Sequence, residues 1–148
     1  MKALIAVTVL IAAAAPVWAA SDSDSPVDAL STNTCPVIIG TVASVDTDQT
    51  RVGTAIVLDH ILPAPGATRW LRDGTIKAFI PTSNMKSYPG LETYVGQEVA
   101  VWPIPPNASR GGVFPPIGLP NQLLLLSDAL ADPKKTWCYL PAFKKRYN

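Results

Sequence analysis

The chain reads VIIGTVASVDTDQTRVGTAIVL from residue 37 to residue 58, two β-branched runs on either side of a polar segment. Residues 37–45 are rich in β-branched side chains and have the length of one strand. Residues 46–50 carry the Asp and Thr side chains that favour turns. Residues 53–58 then return as a second β-branched run. The stretch therefore predicts two consecutive strands joined by a short turn.

A third strand is predicted over residues 75–80, where apolar and polar side chains alternate. Successive side chains of a strand point to opposite faces of the sheet. Ile76, Ala78 and Ile80 would therefore share one face. Lys77 and Phe79 would point to the other. Such alternation indicates a strand with one buried and one exposed face.

Two more strands complete the prediction. Residues 98–102 read EVAVW and form the fourth strand, after a short helical turn expected within residues 83–94. Residues 121–126 read NQLLLL and form the fifth strand or a buried run. Six prolines between residues 103 and 120 predict a long irregular loop before it. The expected fold class is therefore mainly β.

Five strands with a helix between the third and fourth have the layout of an OB-fold, a partly open five-stranded barrel. The chain resembles bacterial exported OB-fold domains, which often show Tyr-x-Gly-Lys-x-Val-x-Val at the fourth strand. The matching segments are residues 35–45, 77–81, YVGQEVAV at 94–101, and 121–123. The resemblance implies a small OB-like five-stranded barrel with a short helix between strands three and four. Another small β-barrel or a β-sandwich is the alternative.

Residues 1–19 have the pattern of a secretory signal peptide. Lys2 supplies a positive start, residues 3–15 are apolar apart from Thr8, and Val17 and Ala19 are the small residues before a cleavage site. The apolar stretch is too short for a membrane anchor, which needs about 20 residues. The pattern predicts a periplasmic or secreted protein that has no transmembrane segment once the signal is removed.

The rest of the chain divides into three parts. Residues 20–34 are polar and aperiodic, which predicts a flexible leader. Residues 35–133 form the barrel domain. Residues 134–148 form a basic C-terminal tail, with five Lys or Arg side chains. This tail either meets an acidic partner, a phosphate or a membrane surface, or is simply a solvated segment that aids solubility.

The two cysteines, Cys35 and Cys138, predict a disulfide that ties the tail to the start of the first strand. A metal or redox pair is the alternative, but the sequence has neither a Cys-x-x-Cys motif nor a histidine cluster. No metal site and no cofactor are expected. His60 is the single histidine, beside Asp59, so a small hydrolase would have to use it. A surface histidine is the simpler interpretation.

The formal net charge is +1 and falls to zero when Lys2 leaves with the signal. General nucleic-acid binders are usually basic, and this chain is not. OB-folds bind through the faces of strands two and three and the adjoining loops. On the predicted layout these regions hold the candidate binding residues Arg51, Trp70, Arg72, Lys77, Phe79, Arg110 and Phe114. For Phe79 and Trp102 a place in the core is the favoured interpretation, because large aromatic side chains usually bury.

The sequence favours a non-enzymatic binding or interaction module of the cell envelope, with a protein as its partner. Proline restricts the loop over residues 103–120, so less conformational entropy is lost when the loop docks. Val113, Phe114 and Ile117 offer apolar contact there. An oligonucleotide-binding OB-fold protein is one alternative, and a hydrolase that uses His60 is another.

Overall fold

The computed structural model describes residues 25–32, 34–46, 53–62, 68–104, 117, 121–141 and 143–144. The predicted signal peptide, the turn between the first two strands and most of the Pro-rich loop lie outside the described residues.

Five strands form one antiparallel sheet. They are β1 (Ile38–Asp46), β2 (Gly53–Asp59), β3 (Ile76–Pro81), β4 (Glu98–Val101) and β5 (Leu123–Leu125). Their order across the sheet is β3-β2-β1-β4-β5, so the mainly-β fold with five strands is confirmed. Within the described part of the chain, no ladder joins β3 to β5, and the sheet is open. A closed barrel stays a prediction.

The helical elements are short. They are α1 (Pro26–Leu30), α2 (Leu126–Ala131) and five 3-10 turns at Thr68–Trp70, Thr82–Ser87, Leu91–Tyr94, Pro133–Lys135 and Trp137–Tyr139. The helical segment predicted between the third and fourth strands is present as two of these 3-10 turns. Pro89 and Gly90 separate them, and Gly90 has the left-handed backbone (φ 71°) that favours glycine.

One face of the sheet is a continuous apolar layer. Ile56 and Leu58 of β2 lie opposite Ala78 and Ile76 of β3, and all four side chains are fully buried. Ile80 lies on the same face and is also fully buried. The alternation predicted for the third strand is therefore confirmed, with its Ile and Ala side chains inside.

The middle of the sheet is buried on both faces at the end where β1 begins and β4 ends. Ile39 of β1 pairs with Ala100 of β4, on the face opposite the apolar layer, and both are buried. Trp102 follows on that face, is fully buried, and donates a hydrogen bond from Nε1 to the Leu30 carbonyl at 3.0 Å. Leu30 belongs to α1, which contacts α2. The two helices therefore form a second, smaller layer beside β4, and Trp102 is a core residue.

The Cys35–Cys138 disulfide is confirmed. It joins chain positions 103 residues apart, with 5.7 Å between the Cα atoms, and both cysteines are buried. The segment around Cys138 is packed as well, since Trp137 and Phe143 are buried with their ring centroids 6.0 Å apart. Residues 136–143 of the predicted basic tail therefore include part of the core.

The structure also differs from the prediction in the leader. Residues 26–30 form α1, whose Val27 and Leu30 side chains are buried. Ser25 caps this helix, because its hydroxyl accepts a hydrogen bond from the Val27 N–H at 3.3 Å. Two apolar residues at a spacing of three share one face of a helix, and that is enough to anchor it. The polar residues around them hide this signal in the sequence.

Gly53 allows the close approach of β2 and β3. A Cβ atom at this position would collide with the Phe79 ring and the Ile80 carbonyl oxygen. We expect Gly53→Ala to lower the free energy of unfolding by about 1–3 kcal/mol, because the Phe79 ring and the β3 backbone must shift to admit the methyl group. Urea unfolding measures this. The cost should shrink in a Phe79→Leu background, and an equal cost in both backgrounds would contradict the proposed contact.

Candidate binding surface

Half of the sheet is covered on one side only. On β2 and β3, the face opposite the apolar layer carries Ala55, Val57, Lys77 and Phe79, which we call the open face. Lys77 lies opposite Val57, and Phe79 lies opposite Ala55. Lys77 is exposed and the other three are half-buried. The structure therefore brings Lys77 and Phe79, both predicted as binding residues, together on one accessible surface.

Three carboxylates lie on the same side of the sheet. Asp46 of β1 pairs with Ala55, so it borders the open face. Thr41 pairs with Asp59 of β2 on one side and with Glu98 of β4 on the other. Cross-strand neighbours are about 5 Å apart, so these two acidic residues flank Thr41. Apart from Lys77, the described charges on this side of the sheet are therefore negative.

Phe79 is held in place at both its ring and its backbone. The ring lies over Gly53, where a larger residue would not fit. Its carbonyl accepts a hydrogen bond from the Ile117 N–H at 2.9 Å, and the Ile117 side chain is fully buried. The Pro-rich loop is therefore attached to the outer edge of β3 at one residue. A fixed aromatic side chain loses little entropy when a partner packs against it.

Trp70 and Arg72 lie at the other end of β3 and have different environments. Trp70 is 8% exposed, and the Arg69 guanidinium lies 4.0 Å from its ring centroid. Trp70 is therefore covered by a cation–π contact and is not available for stacking. Arg72 is exposed and donates to the Arg69 and Leu71 carbonyls at 3.0 and 2.8 Å. The sequence analysis did not select Arg69, although it directly precedes the tryptophan.

The remaining predicted binding residues, Arg51, Arg110 and Phe114, lie outside the described residues. Their relation to the open face stays a prediction.

His60 forms an exposed pair with Asp59. Its Nδ1 lies 2.8 Å from the Asp59 carboxylate, and its side chain is 81% exposed. His60 also has an uncommon left-handed backbone (φ 46°). Over the described ranges no hydroxyl or thiol hydrogen-bonds to this imidazole, so the pair has no positioned nucleophile there. In the same ranges, no group of three or more His, Cys, Asp or Glu side chains is placed to hold a metal ion.

Tyr88 is buried, and the pKa of its hydroxyl is displaced from the ordinary value of tyrosine. Burial raises the pKa of its hydroxyl far above the ordinary value, and the hydrogen bond with the Gln122 backbone opposes that rise only in part. Tyr88 precedes β4 and Gln122 precedes β5, so the neutral phenol connects two segments of the core. This arrangement indicates a structural role.

The fold and surface define a mainly-β protein with one open antiparallel sheet, a helical cover on part of it, and a disulfide. No helix within the described residues has both the length and the apolar character to cross a membrane. Comparison of the chain with models of protein families, with curated proteins and with solved structures gave no match. The function of the open face must therefore be inferred from the positions, burial and charges of its residues.

Proposed function

We propose that this chain is an exported, non-enzymatic binding module of the cell envelope that holds a protein partner on its open face. The observation that carries the proposal is the uneven cover of the sheet. On the side of the open face, Ile39 of β1 and Ala100 of β4 are buried under the helical cover, whereas Val57 and Phe79 remain accessible on β2 and β3. A rigid, partly apolar sheet face suits a protein interface.

Export is supported by two independent features. Residues 1–19 have the signal-peptide pattern. The Cys35–Cys138 disulfide suits an oxidising compartment such as the periplasm or the cell exterior.

The OB-like barrel belongs to the same proposal. In a partly open barrel the sheet curves until its two edge strands, here β3 and β5, come close to each other. Ile117 lies a few residues before β5, yet its N–H donates to Phe79 of β3. The Tyr88 interaction with the Gln122 backbone adds a second link towards β5. These two contacts support a sheet that curves around the apolar layer.

The charges of the open face favour a protein over an oligonucleotide. Phosphate binding depends mainly on Lys and Arg side chains that displace counterions. The described face offers Lys77, but Asp46, Asp59 and Glu98 share that side of the sheet and would repel phosphates. Val57 and Phe79 add apolar area, which a protein partner can cover. An oligonucleotide bound through Lys77 and Phe79 remains the alternative that the experiment must separate.

Site-specific photo-crosslinking tests the proposal directly. A photoreactive amino acid replaces Lys77 on the open face or, as a matched control, Lys86 on the 3-10 turn Thr82–Ser87, which is also an exposed lysine. We expect irradiation of envelope preparations to give a discrete protein adduct from position 77 and none from position 86. Adding Val57→Asp should reduce the adduct about tenfold or more, because it places a charge in the contact.

Three results would contradict the proposal. They are no adduct at position 77, the same adduct at both positions, or an adduct that nuclease removes and protease does not. The last result would establish the oligonucleotide alternative.

A further inference from the structure

The C-terminal part of the chain combines exposed lysines with exposed apolar side chains. Lys134, Lys135 and Lys144 are exposed, as are Leu130 (41%) and Tyr139 (37%). We call these five residues the basic cap. The sequence from residue 133 to residue 148 contains five basic residues and no acidic one. The cap is therefore the part of the molecule where positive charge is concentrated.

The basic cap is built on a fixed scaffold. Cys138 is bonded to Cys35, and Trp137 and Phe143 are buried against each other. Lys134 and Lys144 stand on either side of these anchors in the chain. Side chains on an ordered segment lose less conformational entropy on docking than those on a free tail. This argues against a segment that merely aids solubility.

The charges around the cap are uneven. Lys135 pairs with Asp132 at 3.2 Å. Lys134 and Lys144 have no ion pair among the residues that the structure describes. Two other acidic side chains, Asp28 of α1 and Asp128 of α2, lie on the neighbouring helices and are exposed. Lys134 and Lys144 are therefore the described lysines of the cap that no ion pair neutralises.

We propose that the basic cap docks on a lipid bilayer that contains anionic phospholipids. Lysines near such a surface are attracted to its negative potential, about fivefold in affinity for each residue. Tyrosine side chains favour the headgroup level of a bilayer, where one end of the ring is apolar and the other is wet. Leu130 would enter the apolar boundary beside them. A nucleic acid has no apolar layer that this leucine side chain could enter.

The position of the cap supports this orientation. The disulfide places Cys138, which lies in the chain between Lys134 and Lys144, beside Cys35 just before β1 begins, whereas Asp46 is the last residue of β1. A strand of nine residues extends roughly 25–30 Å. The Asp46 carboxylate is therefore distant from a surface that meets the cap. Phe79 lies on β3, two strands away from β1, at the end of the sheet where Asp46 lies. It would therefore face away from a bilayer that meets the cap. The docking inference does not depend on the proposed function.

Vesicle co-sedimentation of the exported protein tests the proposal, with the N-terminus of every variant established by mass spectrometry. The vesicles are phosphatidylcholine with or without phosphatidylglycerol. We expect binding to the anionic vesicles that weakens with salt. Lys134→Gln with Lys144→Gln should reduce the partition coefficient about tenfold or more. The matched control compares single charges: Lys134→Gln alone should reduce the partition coefficient about fivefold, whereas Lys86→Gln, which removes one charge from an exposed site elsewhere, should change it less than about twofold.

A second pair of variants separates a bilayer from another polyanion. Leu130→Ser and Tyr139→Ser should weaken vesicle binding severalfold and leave retention by a single-stranded oligonucleotide unchanged. The proposal is overturned by equal binding to neutral and anionic vesicles, by equal losses in Lys134→Gln and Lys86→Gln, or by no effect of the apolar substitutions. All variants share one N-terminus, so any contribution of residues 1–19 cancels. Because the substituted residues are exposed, the unfolding midpoints should stay unchanged and report that the fold is intact.

Discussion

Replacing Cys35 and Cys138 together by Ala will lower the free energy of unfolding by about 2–5 kcal/mol. The bond joins positions 103 residues apart, so it removes a large part of the conformational freedom of the unfolded chain. Both cysteines are also buried, so each substitution leaves a small space in the core.

Guanidinium unfolding of the exported protein and the double Ala variant measures the difference. The protein without substitutions, unfolded in the presence of a reductant, is the matched comparison. It loses the disulfide bond but retains both cysteine side chains. Alkylation followed by mass spectrometry should label neither cysteine before reduction and both after it. Labelling of both cysteines without reduction, or equal stability of the two proteins, would show that the disulfide does not hold the fold together.

Loss of the bond should also have a local effect. The disulfide connects the residue before β1 to the 3-10 turn Trp137–Tyr139, beside α1. We infer that proteolysis of the reduced protein begins on either side of this connection, in residues 25–36 and 132–148, before the sheet is cleaved.

The strands are the part of the fold that the sequence predicts well. Dense β-branched runs mark β1 and β2, and strict alternation marks β3 with its buried face. The helical cover is harder to predict. Val27 and Leu30 stand in a polar stretch, and Trp137 and Phe143 stand in a basic one. Local composition therefore predicts that both segments are exposed to solvent. Their burial arises from contacts between the two ends of the chain, which no local pattern shows.

The candidate surface is predictable to a similar extent. Alternation places Lys77 and Phe79 on one face of β3. It does not show whether that face is covered, because the cover depends on helices from distant parts of the chain. The grouping of Asp59 with Glu98 depends on strand register, in which Thr41 pairs with both. Trp70 belongs to the buried core, with Arg69 over its ring, and the sequence pattern alone does not show this.

Trp102 links the sheet to its helical cover, and its replacement should have the second large effect. Its backbone N–H donates to the Gln122 carbonyl, and the Gln122 side chain donates to the Trp102 carbonyl, both at 2.9 Å. Its indole N–H donates to the Leu30 carbonyl at 3.0 Å. We expect Trp102→Ala to cost about 3–5 kcal/mol of stability through the cavity it leaves, as measured by urea unfolding.

Phenylalanine substitutions separate the hydrogen bond from the loss of volume. Trp102→Phe leaves the Leu30 carbonyl without its donor in a buried place, which should add about 1–3 kcal/mol to the cost of the smaller ring. Trp137 is the matched control, because it is also buried and its Nε1 has no hydrogen-bond partner within the described residues. Trp137→Phe should therefore cost less than Trp102→Phe. If the two substitutions prove equally costly, the bond to Leu30 does not stabilise the junction, and packing alone must hold α1 against β4.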